Sequence, residues 1–281
     1  MTVDGAEVPP AQYLPAEAVL DELASHGAQR LRSLSALQVL VLGTIAGGFI
    51  TAGALFSLLL ASGTTNPGVE RLLEGFGFSA GFFFVILSGA ALFTEANVVL
   101  PATVVSDQPG TSARLVARFW ALAWVGNLLG ATLVGFAVHM AQHYPPETID
   151  LLHDVVGRKL AYRGVGGSGA WFQIILSGVL ANWLVGMAAF FATMGRTIIG
   201  KYIPILLAVS VFVAANFQHS PANMGYFSLA WFDQGGPGIG DAFWWSIIPA
   251  GIGNMIGGSI LVVLPFTISR ARKGGGSHQA T

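Results

Sequence analysis

The sequence predicts an all-α membrane protein: six transmembrane helices in two inverted repeats of three, with the second and fifth spans broken. Three observations carry this expectation. Of 281 residues, 53% are hydrophobic and only 10% charged, against roughly 25% charged in soluble domains, and mean hydropathy is +0.66. Six apolar stretches recur along the chain, each long enough to cross a hydrocarbon core of about 30 Å at 1.5 Å per helical residue. Finally, the first three stretches share motifs, in the same order, with the last three.

Composition also excludes function classes. Cys is absent, so disulfides and thiolate metal sites are ruled out. A net charge of -1 supplies no basic field for nucleic acid. There is no HExxH or paired-aspartate motif, so neither an intramembrane enzyme nor a cofactor or metal site is expected.

The elements follow in order. Residues 1–36 form a polar N-terminal segment with prolines at 9, 10 and 15, unlike a cleavable signal peptide. Within it, residues 14–35 read as an amphipathic helix, with Leu20, Leu23, Ala24, Leu31 and Leu34 near one face. The transmembrane domain runs 37–268, as repeats 37–141 and 170–268. Its spans are 37–61, 72–105, 115–141, 170–194, 202–231 and 241–268. Spans two and five are too long for one plain helix. Span two is interrupted by "GAALFTEANVVLP" (Gly89–Pro101) and span five by "NFQHSPANM" (Asn216–Met224). Irregular polar backbone at membrane depth is tolerated only where it lines a cavity or is buried in protein. The connection 142–169 is expected to carry a short surface helix in "YPPETIDLLHD", and the tail 269–281 to be disordered.

Placing both termini in the cytoplasm puts nine cations inside: Arg30, Arg32, Arg114, Arg118, Arg196, Lys201, Arg270, Arg272 and Lys273. It leaves four outside: Arg71, Arg158, Lys159 and Arg163. The positive-inside rule favours this orientation.

The repeat rests on three correspondences. Ala96-Asn97 in the first break echoes Ala222-Asn223 in the second; "GNLLGA" (Gly126–Ala131) echoes "GNMIGG" (Gly253–Gly258); and Gln38…Gly47 is spaced like Gln173…Asn182. Three spans per repeat is odd, so the halves are inverted, an arrangement that puts a pathway at the repeat interface.

At these motifs the chain resembles the formate/nitrite transporter family. The resemblance covers about 37–270. It rests on "LFT" (Leu92–Thr94), "GNLLGA", "ANWLVGMAAFFATMGRT" (Ala181–Thr197), "FQHSPANM" (Phe217–Met224) and "GNMIGG". It implies an aquaporin-like protomer, a homopentamer with one pore per protomer, a multi-pass protein of the inner (cytoplasmic) membrane, and small monovalent weak-acid anions as permeants. By motif position it makes His219 the central pore histidine, Thr94 its partner and Asn182 a vestibule asparagine. The chain departs from the family in three places: Gln218 replaces a glutamate before the histidine, Ala91 replaces an acid before "LFT", and "RGVGGSGAW" (Arg163–Trp171) lacks the expected vestibule lysine.

Of six histidines, His139 and His143 are near the end of a span, and only His219 lies deep inside one. With Glu95 it is one of two ionisable residues expected at mid-membrane depth, where such groups cost at least a few kcal/mol and mark functional sites. A bare anion cannot cross an apolar constriction without a large desolvation cost. Histidine, with an ordinary pKa of about 6.5, is the residue suited to neutralise it. Thr94 would fix the imidazole tautomer, while Leu92, Phe93 and Phe217 would form apolar slits. Gln218, Glu95, Asn97 and Asn223 complete the candidate site. A pore for small neutral solutes (water, ammonia or an undissociated acid) is the alternative, and a non-transporting membrane sensor a more distant one.

Overall fold

A computed structural model describes residues 2–3, 6–7, 13–233 and 235–271. Apart from two paired strand fragments, β1 (Thr2–Val3) and β2 (Ala6–Glu7), regular structure among these residues is helical. The expected tail lies, from residue 272, outside the described residues.

Helix α1 (Ala16–Ser33) carries the expected apolar stripe, but the stripe is buried in the protein rather than laid on its surface. Val19, Leu20, Leu23 and Ala24 are all at most 3% exposed. Gly27 packs so tightly on Val99 and Thr103 that a Cβ there would have no room. Helix α2 (Ala36–Ala61) starts at a capping box formed by Ser35 and Gln38, which satisfies two of its free N–H groups reciprocally. Helix α3 (Pro67–Ser88) begins at Asn66, whose side chain accepts from the N–H groups of Gly68 and Val69. It ends at Gly89, whose φ of +68° lies in the left-handed region that favours glycine. Helix α4 (Phe93–Val105) follows after three residues, and α5 (Ala113–Ala141) starts at the Ser112 cap.

Helix α6 (Pro146–Val165) is longer and more deeply set than the short surface helix expected. Leu151, Leu152, Val155 and Val156 recur at helical spacing and bury one face. Next come α7 (Gly167–Met194), α8 (Ile198–Ala214), α9 (Ser220–Phe232) and α10 (Ile239–Ser269). Two π-helical stretches, Phe243–Ile247 and Gly257–Val263, interrupt α10. Helices α2, α3, α5, α7 and α10 are long and apolar enough to cross a membrane, while α4 and α8 are shorter apolar helices. Large apolar side chains remain exposed around the outside, among them Val41, Ile45, Leu133, Leu207 and Val211, as expected of surfaces facing lipid or a neighbouring chain.

The two halves pack alike. Gly43 and Gly126 touch backbone to backbone, as Gly178 and Gly253 do. Gly130 lies against the Thr44 carbonyl, and its counterpart Gly257 against that of Val179. Small residues at these positions let helix backbones approach.

Candidate functional site

Each half interrupts a long apolar stretch and restarts it as a 13-residue helix, α4 in one and α9 in the other. The interruptions leave backbone groups that no helix satisfies, and one asparagine in each half satisfies them. Asn127 accepts from the Phe93 N–H at 2.9 Å and donates to the carbonyls of Gly43 and Ala91 at 2.9 and 3.0 Å. Asn254 accepts from the Ser220 N–H at 2.9 Å and donates to the carbonyls of Gly178 and Gln218 at 2.9 and 3.1 Å. The Ala91 N–H donates to the Leu42 carbonyl, and the Gln218 N–H to the Ser177 hydroxyl.

These contacts correct the repeat register. Phe93 pairs with Ser220, and the N-cap positions Leu92 and His219 correspond. The Asn97/Asn223 equivalence read from the motifs is therefore off by one: Asn97 corresponds to Met224. Identical dipeptides masked the slip, because only the backbone contacts report the register.

Thr94 and His219 meet. The His219 Nε2 lies 2.9 Å from the Thr94 Oγ1, with both side chains buried at 0% and 1% exposure. The imidazole stacks on Phe212, ring centroids 5.1 Å apart. His219 is also the N-cap of α9, and its Nδ1 accepts from the Ala222 N–H at 3.2 Å. A backbone N–H can only donate, so Nδ1 carries a lone pair and the neutral ring has its proton on Nε2. Nε2–H therefore donates to Thr94. Protonating Nδ1 would break the cap and set a cation at the positive end of α9.

The remaining expected residues are more scattered. Leu92 is fully buried, and Phe93 is 4% exposed in the core beside α1. Phe217 packs on the other core cluster. Asn182, expected at a vestibule surface, is fully buried instead; it donates to the carbonyls of Thr94 and Asn254 at 3.2 and 2.7 Å. Gln218 and Asn223 face each other: the Asn223 Nδ2 donates to the Gln218 Oε1 and to the Ser246 Oγ, both at 2.7 Å. Asn97 is buried, and neither polar atom of its side chain has a protein partner among the described residues. Glu95 does not join the His219 pair. Its carboxylate takes both oxygens to the Arg30 Nη1, at 3.1 and 3.0 Å.

A cationic side chain that motif reading missed lies in α6. Lys159 is 5% exposed and donates to the Phe217 carbonyl at 3.0 Å, two residues before His219. Lys159 stands at least four positions before the 163–171 stretch in which a lysine is missing. Burial, then the neighbouring Arg158 charge, lower its pKa from 10.5 to about 7, with Glu74 opposing. Arg158 pairs with the buried Glu74 at 2.5 Å. The signal available was the buried face of α6, on which Lys159 continues the positions of Val155 and Val156.

Two hollows lie near these residues. One, of about 560 Å³, lies between α1, the first break and the α7–α8 junction, and is lined by Arg30, Glu95, Arg196 and Lys201 among others. On the other side a slit of about 10 Å³ is lined by Glu74, Arg158, Lys159, Phe212, Asn216 and Tyr226.

Comparison with known proteins places these features in context. Residues 17–268 match the family model described as formate/nitrite transporter. The chain is 30% identical over 238 residues to a "Probable formate transporter" of Methanothermobacter thermautotrophicus, covering 80% of this chain and 86% of that protein. Among solved structures it resembles an "FNT family ion channel", with a TM-score of 0.77, 24% identity and coverage of 89% of this chain and 98% of that one. It also resembles a "Pentameric formate channel with formate bound", with a TM-score of 0.70, 21% identity and coverage of 84% and 98%.

Proposed function

The chain belongs to the formate/nitrite transporter family, and from that premise we propose that it passes small monovalent weak-acid anions of the formate or nitrite kind across a lipid bilayer. The observation that carries this reading is the contact of His219 with Thr94 where the two breaks meet. In this reading, α3 with α4 and α8 with α9 are single crossings broken at mid-depth. Six crossings then form an aquaporin-like inverted repeat over 37–268, with one pore per protomer. The similarity to a pentameric formate channel supports a homopentamer. The nine-to-four distribution of Lys and Arg supports cytoplasmic termini and a place in the cytoplasmic membrane.

The permeation step follows from charge and desolvation. An anion reaches Lys159 through the slit beside α6, drawn by a cation that has no carboxylate within salt-bridge distance among the described residues. Taking a proton there turns the ammonium into an amine and the anion into a neutral acid, which crosses the apolar interior at far lower cost. The amine regains its proton from the outer solvent. At the centre, Nε2–H of His219 turns from Thr94 to the permeant while Nδ1 keeps its helix cap. The neutral acid loses its proton again in the larger hollow on the α1 side.

A pore for neutral solutes is the second reading, favoured by the uncharged set His219, Thr94 and Gln218. Flux into proteoliposomes at two pH values separates them. Formate and nitrite are expected to move, with proton movement, much faster than water or ammonia above the protein-free rate. Flux of neutral solutes alone would overturn the anion reading.

A further inference from the structure

Glu95 stands directly after the pore threonine, and the permeation step makes no use of it. It is 8% exposed and lies in the first turn of α4, where the helix dipole favours a carboxylate. Its partner Arg30 reaches across from α1. One guanidinium nitrogen holds both carboxylate oxygens, the other donates to the Ala90 carbonyl at 3.2 Å, and the guanidinium lies over the Phe119 ring, 5.3 Å from its centroid. The arginine is thus fixed in place, and both charged groups line the 560 Å³ hollow.

A rigid guanidinium in a partly buried hollow is a site for a planar, two-oxygen anion. The permeants of the proposed function have that shape, and Glu95 presents the same two oxygens to Arg30. We propose that Glu95 occupies an oxyanion site on Arg30 in the α1-side hollow and so keeps a small carboxylate or nitrite from being retained there. This rests on the anion-transport reading. Conduction requires that an ion be bound strongly enough to enter and weakly enough to leave. With Arg30 neutralised, Arg196 at the rim and Lys201, held on the Ala192 carbonyl at 3.0 Å, still attract anions without offering a two-oxygen clamp.

The test uses the full-length protein in proteoliposomes, with formate as the probe and saturation measured separately from each face. Glu95→Gln is expected to lower the KM on the α1 face by about tenfold, the strength of one charge-assisted hydrogen bond, to reduce maximal flux, and to leave the KM on the opposite face in place. Adding Arg30→Gln to it should remove the extra affinity. Arg30→Gln alone leaves an uncompensated carboxylate in the hollow and should raise the α1-face KM, so it decides the matter if Glu95→Gln does not fold. An unchanged α1-face KM in either single variant, or a shift equal on both faces, would overturn the proposal. Calorimetric titration of purified protein with formate keeps this apart from failure of the transport reading. Glu95→Gln should bind formate about tenfold tighter than the unmodified protein even if no flux is seen, and equal binding would again count against the site.

Discussion

The imidazole of His219 and the hydroxyl of Thr94, 125 positions apart in the chain, lie 2.9 Å from each other in the interior. The same imidazole caps α9 through Nδ1. One side chain therefore joins the two breaks and starts the second half-helix. His219→Phe loses both contacts and is expected to abolish formate flux. Asparagine is a good N-cap, so His219→Asn should keep a measurable share of the flux and the same pH profile. Loss of pH dependence in that variant would return the histidine to a proton-carrying role. Thr94→Val removes one hydrogen bond worth about 0.5–1.5 kcal/mol and should cost less flux than His219→Phe.

Lys159 sets an expected pH dependence. Its pKa is lowered to about 7, and a lysine is cationic below its pKa, so the attracting charge is present in acid and lost as pH rises through about 7. Formate stays ionised throughout, since carboxylate pKa values lie near 4. Formate uptake should therefore fall as external pH rises from 6 to 8. The charges facing Lys159 are Arg158, which lowers its pKa, and Glu74, which raises it. Lys159→Arg keeps a permanent charge but cannot give up its proton, so it should cut uptake and flatten the profile, while Lys159→Met, with neither charge nor proton, should reduce uptake most at pH 6. A wild-type profile in Lys159→Met would remove the lysine from the pathway.

Asn127 and Asn254 each satisfy two backbone groups at a break and bond one carbonyl of a neighbouring helix. Replacing either by alanine strands them, at about 1–3 kcal/mol per buried unsatisfied group. Thermal unfolding in detergent should show a large, similar loss of Tm for the two variants. Asn→Asp should not rescue either, because a carboxylate has no donors for the carbonyls. Equal stability of Asn127→Ala and the unmodified protein would show that the break holds itself.

Orientation and assembly are open to direct measurement in a chain without cysteine. Asp150 is exposed in α6, and Asp150→Cys should react with an impermeant thiol reagent from outside intact cells. Reaction only after the cells are opened would invert the topology. Native mass spectrometry in mild detergent should give five chains; a monomer or trimer alone would exclude the pentamer.

Much of the scaffold was legible in sequence because it depends on short-range patterning. Long apolar runs report burial, Gly89 opens the first break, and Asn127 and Asn254 stand at matching places in "GNLLGA" and "GNMIGG". The meeting of Thr94 with His219 was also expected, since a repeat brings its equivalent breaks together. What the sequence could not carry were pairings that depend on where separate helices arrive. Arg30 reaches Glu95 across 65 positions, Lys159 comes to the Phe217 carbonyl from a connection that reads as a surface helix, and Asn182 turns from a vestibule into the backbone of the first break. The one-residue slip of Asn97 against Asn223 has the same origin. Local pattern says that a polar side chain near a break must be satisfied. Only the packed structure decides by whom, because in a low-dielectric interior the partner is set by distance and direction between helices, not by spacing along the chain.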